Sequence, residues 1–359
     1  MGRLSWRIDA RIVDIVECVV SVLLAIGVAH LLNAPNVSWA AFSGYMVMRG
    51  HALETLQRGA LRIIGTLVGG LLALAAFPVI APQLWLQAVV LAAVSCAGLY
   101  GALTARHGYA WLFFGLTFAM VVFDKVEHPA ESLIAFVEAR FLETTAGTIA
   151  CVVVSLLSTL TLRRYWPAAR TPAAQALGWR AEAFSHAAQC GVAMAGLAVL
   201  SSFYAAPALA QGAVTVIAVM FVPVSAVGAN GLISVRRRIW QRFLGAGAGA
   251  LLGAFFLFVA RGHAPAMILG VVIGVAVGRA MENGALAHRY VGTQFTLAVL
   301  VTLVPDDYSA ATIEPGLARL LSIFIGMAVL EPVLAAWRLL GIDKRLGDQS
   351  RGADELGGV

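Results

Sequence analysis

Two arginines, Arg140 and Arg319, stand inside apolar runs of this sequence, each several residues inward from an acidic segment. A charged side chain at the centre of a membrane helix costs about 2.5–3.5 kcal/mol on insertion scales, so it needs a partner or a watery cavity. Arg140 has Glu143 three residues on, whereas Arg319 has Ser322 at the corresponding place. An intrahelical ion pair is one reading of the first arginine and cannot account for the second. A guanidinium that faces a bundle interior is planar and always charged, and it can clamp a carboxylate through two hydrogen bonds. Arg58, Arg62, Arg238 and Arg242 follow at helical spacing. Snorkelled anchoring at the membrane surface is expected for Arg58 and Arg238. Arg62 and Arg242 lie deeper, beside Gly65 and Gly69 or Gly245 and Gly249, and are read as lining a cavity, the glycines letting another helix backbone approach.

The acidic and titratable residues within apolar runs are fewer. Asp14 and Glu17 share one helical face, with His186 and Gln189 at the aligned positions of the second half, and Glu331 precedes Pro332 in the last run. Asp14, Glu17, Glu143, His186 and Glu331 are the candidates for proton coupling, and pairing with nearby arginines is the competing reading. One apolar run, 37–48, is short and carries Trp39, Phe42 and Tyr45, whose aromatic faces suit an aromatic body. Interrupted spans often mark a transported substrate's site, because unwound backbone is tolerated only where it lines a cavity. An ordinary helix with poorly marked ends is the alternative.

These residues must be positioned by membrane helices. Of 359 residues, 60% are hydrophobic and 12% charged, and the mean hydropathy is +0.85, far from the roughly 25% charged residues of soluble domains. Runs long enough to span a bilayer are expected near 12–33, 37–48, 61–80, 84–103, 109–123, 133–162, 182–203, 209–227, 240–260, 264–280, 288–304 and 316–340. The pattern Arg58, Arg62, Gly65, Gly69 recurs 180 residues later, and Ala139, Arg140, Leu142, Gly147 recurs 179 residues later as Ala318, Arg319, Leu321, Gly326. Two signatures at nearly one offset indicate tandem duplication. The expectation is an all-α polytopic membrane protein of about twelve transmembrane helices in two parallel six-helix repeats, 1–162 and 181–340, with a cytoplasmic linker at 163–180 and a polar tail at 341–359.

Charge sets the orientation. Most of the 25 basic residues fall in segments that share one side if the N-terminus is cytoplasmic, while Asp124, Glu127, Glu131, Asp306, Asp307 and Glu314 fall on the other. Both termini are therefore expected inside. The net charge of +6 comes from basic residues that flank apolar runs, which argues for topology and against nucleic-acid binding. The four cysteines all lie in apolar runs, and no disulfide framework or metal motif follows from them. There is no nucleophile elbow, phosphate loop or His/Glu metal motif, so neither enzyme activity nor a cofactor is expected.

The stretch from Trp39 through Arg58, Arg62, Ile63, Ile64, Gly65, Thr66 and Gly69, together with Arg140 and Gly147, resembles the FUSC family, the fusaric acid resistance and aromatic acid exporter group of bacterial inner-membrane proteins. The second half is similar more loosely, with Ala246 where the first has Thr66. The resemblance implies export of small, often aromatic, carboxylic acids, commonly beside a periplasmic adaptor protein. A more distant likeness to aluminium-activated malate transporters implies instead a passive anion channel lined by arginines. Long members carry a large cytoplasmic domain where this chain has only 163–180. On this reading Arg62, Arg242, Arg140 and Arg319 orient a carboxylate between the repeats, and Trp39, Phe42 and Tyr45 contact its aromatic body. A non-transporting membrane assembly subunit is the third reading, and a homo-oligomer stays open.

Overall fold

The computed structural model describes residues 9–170, 175–203, 209–227, 231–284 and 288–341. The expected tail therefore lies almost wholly outside the described residues, as do Arg3, Trp6 and Arg7. The described chain is helical, with no strand among the described residues. Its helices are α1 (Ala10–Leu31), α2 (Val37–Val47), α3 (Ala52–Ile80), α4 (Leu84–Thr104), α5 (Gly108–Glu127), α6 (Leu133–Leu160), α7 (Leu162–Tyr165), α8 (Ala181–Phe203), α9 (Leu209–Met220), α10 (Gly231–Ala260), α11 (Ala264–Glu282), α12 (Arg289–Leu303) and α13 (Glu314–Leu339).

Local chemistry explains several boundaries. The Asp9 side chain caps α1 by accepting from the Arg11 and Ile12 amides at 2.9 and 3.0 Å. Asn33 takes a left-handed turn (φ 52°) between α1 and α2, a conformation its short polar side chain tolerates better than most. The last expected residues of the eighth run, 209–227, do not continue α9, which stops at Met220 shortly before Pro223. Proline lacks the amide a helix needs and drives the preceding residue into extended backbone. Nine helices among the described residues are long and apolar enough to cross a membrane, while α2, α9 and α12 have 11, 12 and 15 residues. The exposed faces of α3 and α10 are greasy, with Ile64, Val68 and Leu71 on one and Leu251, Phe255 and Phe258 on the other. Such exposed apolar faces fit lipid contact, and the chain is a multi-pass membrane protein.

The chain forms two compact units, and neither is a sequence half. The first takes α1, α2, α3 to Ala60, α6 from Ala139, α7, α10 from Leu244, α11, α12 and α13 to Leu317. The second takes α3 from Leu61, α4, α5, α6 to Glu138, α8, α9, α10 to Phe243 and α13 from Ala318. In the first, α1 packs on α2 and α11, and α12 packs on α11 and α2. In the second, α4 packs on α5 and α8, and α9 packs on α5 and α8.

Glycines set the closest approaches. In the second unit a Cβ at Gly65 or Gly69 of α3 would collide with the Ala110 or Phe114 carbonyl oxygen of α5. In the first, Gly245 and Gly249 of α10 meet the Val291 and Phe295 carbonyls of α12 in the same way. Gly147 of α6 lies against the Ala40 carbonyl of α2, and a Cβ there would lie 2.7 Å from that of Ser43. Gly147→Ala is therefore expected to destabilise the protein by about 1–3 kcal/mol through overpacking. Gly27→Ala meets nothing within 4 Å and is expected to gain about 0.4–1 kcal/mol. Unfolding midpoints of the two variants in detergent check this pair, and equal midpoints would refute the close approach at Gly147.

Candidate functional site

Helix α2 has 11 residues, about 16 Å at 1.5 Å per residue, roughly half the hydrocarbon thickness. Its Ala40, Ala41, Phe42, Tyr45 and Val47 are buried in the core of the first unit. The C-terminal end, Val47 and Met48, is buried, whereas Asn36 at the N-terminal end is exposed, and the free amides and carbonyls of both ends find side-chain partners. At the N-terminal end the Asn36 amide donates to Glu143 Oε1 at 2.9 Å and the Val37 amide to Asp306 Oδ1 at 2.8 Å. Arginines hold the other end: Arg58 Nε donates to the Met46 carbonyl at 3.1 Å, and Arg49 Nη1 to the Met48 carbonyl at 2.6 Å. Carboxylates at the positive end of the helix dipole and guanidiniums at the negative end both lower its energy.

Helix α9 in the second unit is held similarly at its C-terminal end. Arg238 Nη1 donates to the Phe221 carbonyl, and His186 Nε2 lies 2.7 Å from that of Met220, which makes Nε2 the protonated nitrogen. Arg58 and Arg238, expected as surface anchors, thus serve the ends of two short helices.

Arg140 on α6 is 4% exposed and Glu143 is fully buried. Arg140 Nη2 lies 3.0 and 2.8 Å from the two carboxylate oxygens of Glu143. The guanidinium also sits 4.7 Å over the Trp39 ring, and Trp39 packs edge-on to Phe42 at 5.3 Å. A cation on an indole face, a carboxylate on that cation and a second carboxylate at the next amide form a site with defined ligand chemistry. Asp306 reaches Val37 from the segment between α12 and α13. Its neighbour Asp307 is turned away, accepting from the Ser309 amide and hydroxyl at 2.8 and 2.7 Å, donors that hold its carboxyl below the usual carboxylate range.

The other sequence-derived residues occupy separate surroundings. Arg62 lies in the second unit, 4.1 Å over the Phe113 ring, with Nη1 3.4 Å from the Tyr109 hydroxyl. Arg242 Nη2 donates to Thr215 Oγ1 at 3.1 Å. Arg319 is 5% exposed, and the Ser322 hydroxyl donates to its carbonyl at 2.6 Å. Tyr45 sits apart from Arg140, in a charge network at the opposite end of α2. Its hydroxyl donates to Glu282 Oε1 at 2.9 Å and accepts from Thr296 at 3.2 Å.

That network absorbs two of the proton-coupling candidates. Asp14 accepts from Arg279 Nε and Nη2 at 2.6 and 2.9 Å and from Asn283 at 2.7 Å. Glu17 accepts from Arg163 Nε and Nη2 at 2.8 and 2.5 Å. In the second unit Glu331 pairs with the Arg236 guanidinium at 2.8 Å, both side chains partly exposed. Arg163 and Arg279, among the basic residues expected only to set topology, hold buried carboxylates instead, and Glu282 beside Arg279 carried no expectation. The spacing Arg279, Glu282, Asn283 at the end of an apolar run puts three polar groups on one helical face, and that signal could have found them. No local signal could have brought Asp306 to Val37.

Residues 24–166, from α1 to the end of α7, match the family described as "Fusaric acid resistance protein-like". Over those 143 of 359 residues the chain is similar to that family, which suggests a membrane-transport type of function. No curated protein and no solved structure matches the chain.

Proposed function

We propose that this protein, similar over residues 24–166 to the FUSC family, belongs to it and carries small carboxylates, aromatic ones above all, out of the cytoplasm across a bacterial inner membrane. One observation carries the reading: the buried Arg140 lies on the Trp39 ring while Glu143 and Asp306 occupy the N-terminal end of α2. The protein fills that place with its own carboxylates, so a substrate carboxylate can exchange for one of them at little electrostatic cost. An aromatic body then has Trp39 and Phe42 beside it. When Glu143 takes up a proton it releases Arg140, and anion movement becomes coupled to proton movement. Arg62, Arg242 and Arg319 are assigned further carboxylate contacts within the second unit.

The architecture we infer is the duplicated one, twelve helical segments in two parallel repeats with both termini cytoplasmic. Two recurrences support it: the glycine contacts of α3 on α5 return as those of α10 on α12, and short α2 and α9 each have an arginine at the C-terminal end.

The test is uptake of labelled benzoate by liposomes holding the purified protein, with and without an imposed pH gradient, against protein-free liposomes. Accumulation above equilibrium is expected. Flux that runs only downhill would make the protein an anion channel, and no flux would refute the reading. Arg319→Gln is expected to abolish flux with the unfolding midpoint retained, and full transport by that variant would remove Arg319 from the pathway.

A further inference from the structure

A cavity of about 410 Å³ opens at the arginine-bearing end of the first unit. His51 and Leu53 line it from the turn that starts α3, and Arg163, Pro167, Ala168 and Arg170 line it from α7 and the chain just after. The volume falls in the range of about 300–1,000 Å³ typical of small-molecule sites, which are mostly apolar with a few polar groups. The segment after α7 is tied across the cavity. His51 Nε2 lies 3.0 Å from the Ala168 carbonyl oxygen, and the backbone at Gly50 comes so near that a Cβ there would lie 2.5 Å from that of Ala168.

The lining charges differ in what they already hold. Arg163 is 8% exposed and spends its guanidinium on Glu17. Glu54, the carboxylate of the lining, lies in the first turn of α3, where the helix dipole favours it. Arg170 is exposed at the rim and joins no ion pair among the described residues. Positive charge at the rim beside an apolar wall suits an anion whose body is apolar.

We propose that this cavity is a vestibule for a small carboxylate with an apolar body, which rests that body on Leu53, Pro167 and Ala168 and sets its charge against Arg170. The inference rests on the carboxylate-transport reading and gives that substrate a first station on the arginine-bearing side. Arg163 links the station to the buried charges, because the side chain that lines the cavity also holds Glu17.

The experiment follows maleimide labelling of Ala52→Cys in the full chain, at a lining position, with and without benzoate. The native cysteines are buried or, for Cys96, half-buried in α4. Benzoate is expected to slow labelling, acetate to leave it unchanged, and Arg170→Glu to raise the benzoate needed about tenfold. Ala168→Trp, which fills the cavity, is expected to abolish protection and raise the benzoate concentration for half-maximal flux. Protection in a protein that moves no benzoate would keep the vestibule and overturn the transport reading. Arg140-dependent benzoate flux, with labelling indifferent to benzoate and Ala168→Trp without effect, would overturn the vestibule alone. Equal protection by acetate would overturn the apolar contact.

Discussion

Arg140→Met is expected to destabilise the protein by about 3–5 kcal/mol, the usual cost of removing one partner from a buried ion pair. The charge left behind is Glu143, which is fully buried and paired with Arg140 at 2.8 Å. Adding Glu143→Leu removes that charge, and replacing a whole buried pair by apolar side chains is often neutral or stabilising. The Asn36 amide then loses its acceptor, at about 1–3 kcal/mol, so the double variant should recover most, not all, of the loss. Both variants are expected to move no benzoate. Stability thus returns while flux does not, which separates a carboxylate-binding arginine from one that only staples helices. Unfolding midpoints in detergent beside liposome flux measure both quantities, and a double variant with wild-type flux would assign Arg140 to structure alone.

Arg279→Met is expected to cost at least as much, because Arg279 joins two carboxylates. It donates to Asp14 through Nε and Nη2 and to Glu282 through Nη1 at 2.9 Å. Without it Asp14 keeps Asn283 at 2.7 Å and Arg163 at 3.8 Å, and Glu282 keeps the hydroxyls of Tyr45 and Thr293. Two carboxylates then face each other with one guanidinium fewer, at about 3–5 kcal/mol or more. Arg279→Lys should rescue only in part, since an ammonium is a compact charge that cannot fork across both acids. The yield of monodisperse protein and its unfolding midpoint report the effect, and a wild-type midpoint for Arg279→Met would show that the network contributes nothing to stability.

What could be read from the sequence follows the range over which each feature is encoded. Apolar runs are local, and each holds a helix; among the described residues nine of these are long and apolar enough to cross a membrane, and α2, α9 and α12 are shorter. The shortness of α2 was visible too, because the apolar run ends at Arg49. Helix starts were missed where helices are amphipathic: α3 and α10 begin at Ala52 and Gly231, well before the apolar runs at 61 and 240. Those added turns carry Arg58 and Arg238, whose carbonyl partners lie at the C-terminal ends of α2 and α9. Arg140 with Glu143 was legible because the two stand one turn apart on one helix. The pairing of Asp14 with Arg279, or of Val37 with Asp306, joins residues separated by most of the chain. Only the packing of α1 and α2 with α11 and α12 brings them together. For the same reason the sequence could not divide the arginines, which put Arg140 in one unit and Arg62, Arg242 and Arg319 in the other.

Equilibrium dialysis of labelled benzoate against the purified wild-type protein and the Arg140→Met/Glu143→Leu variant tests carboxylate recognition at α2 most directly. Saturable binding by the wild type that disappears in the folded double variant is the predicted result. Equal binding by both proteins would place the carboxylate elsewhere, and no binding by the wild type would contradict the site altogether.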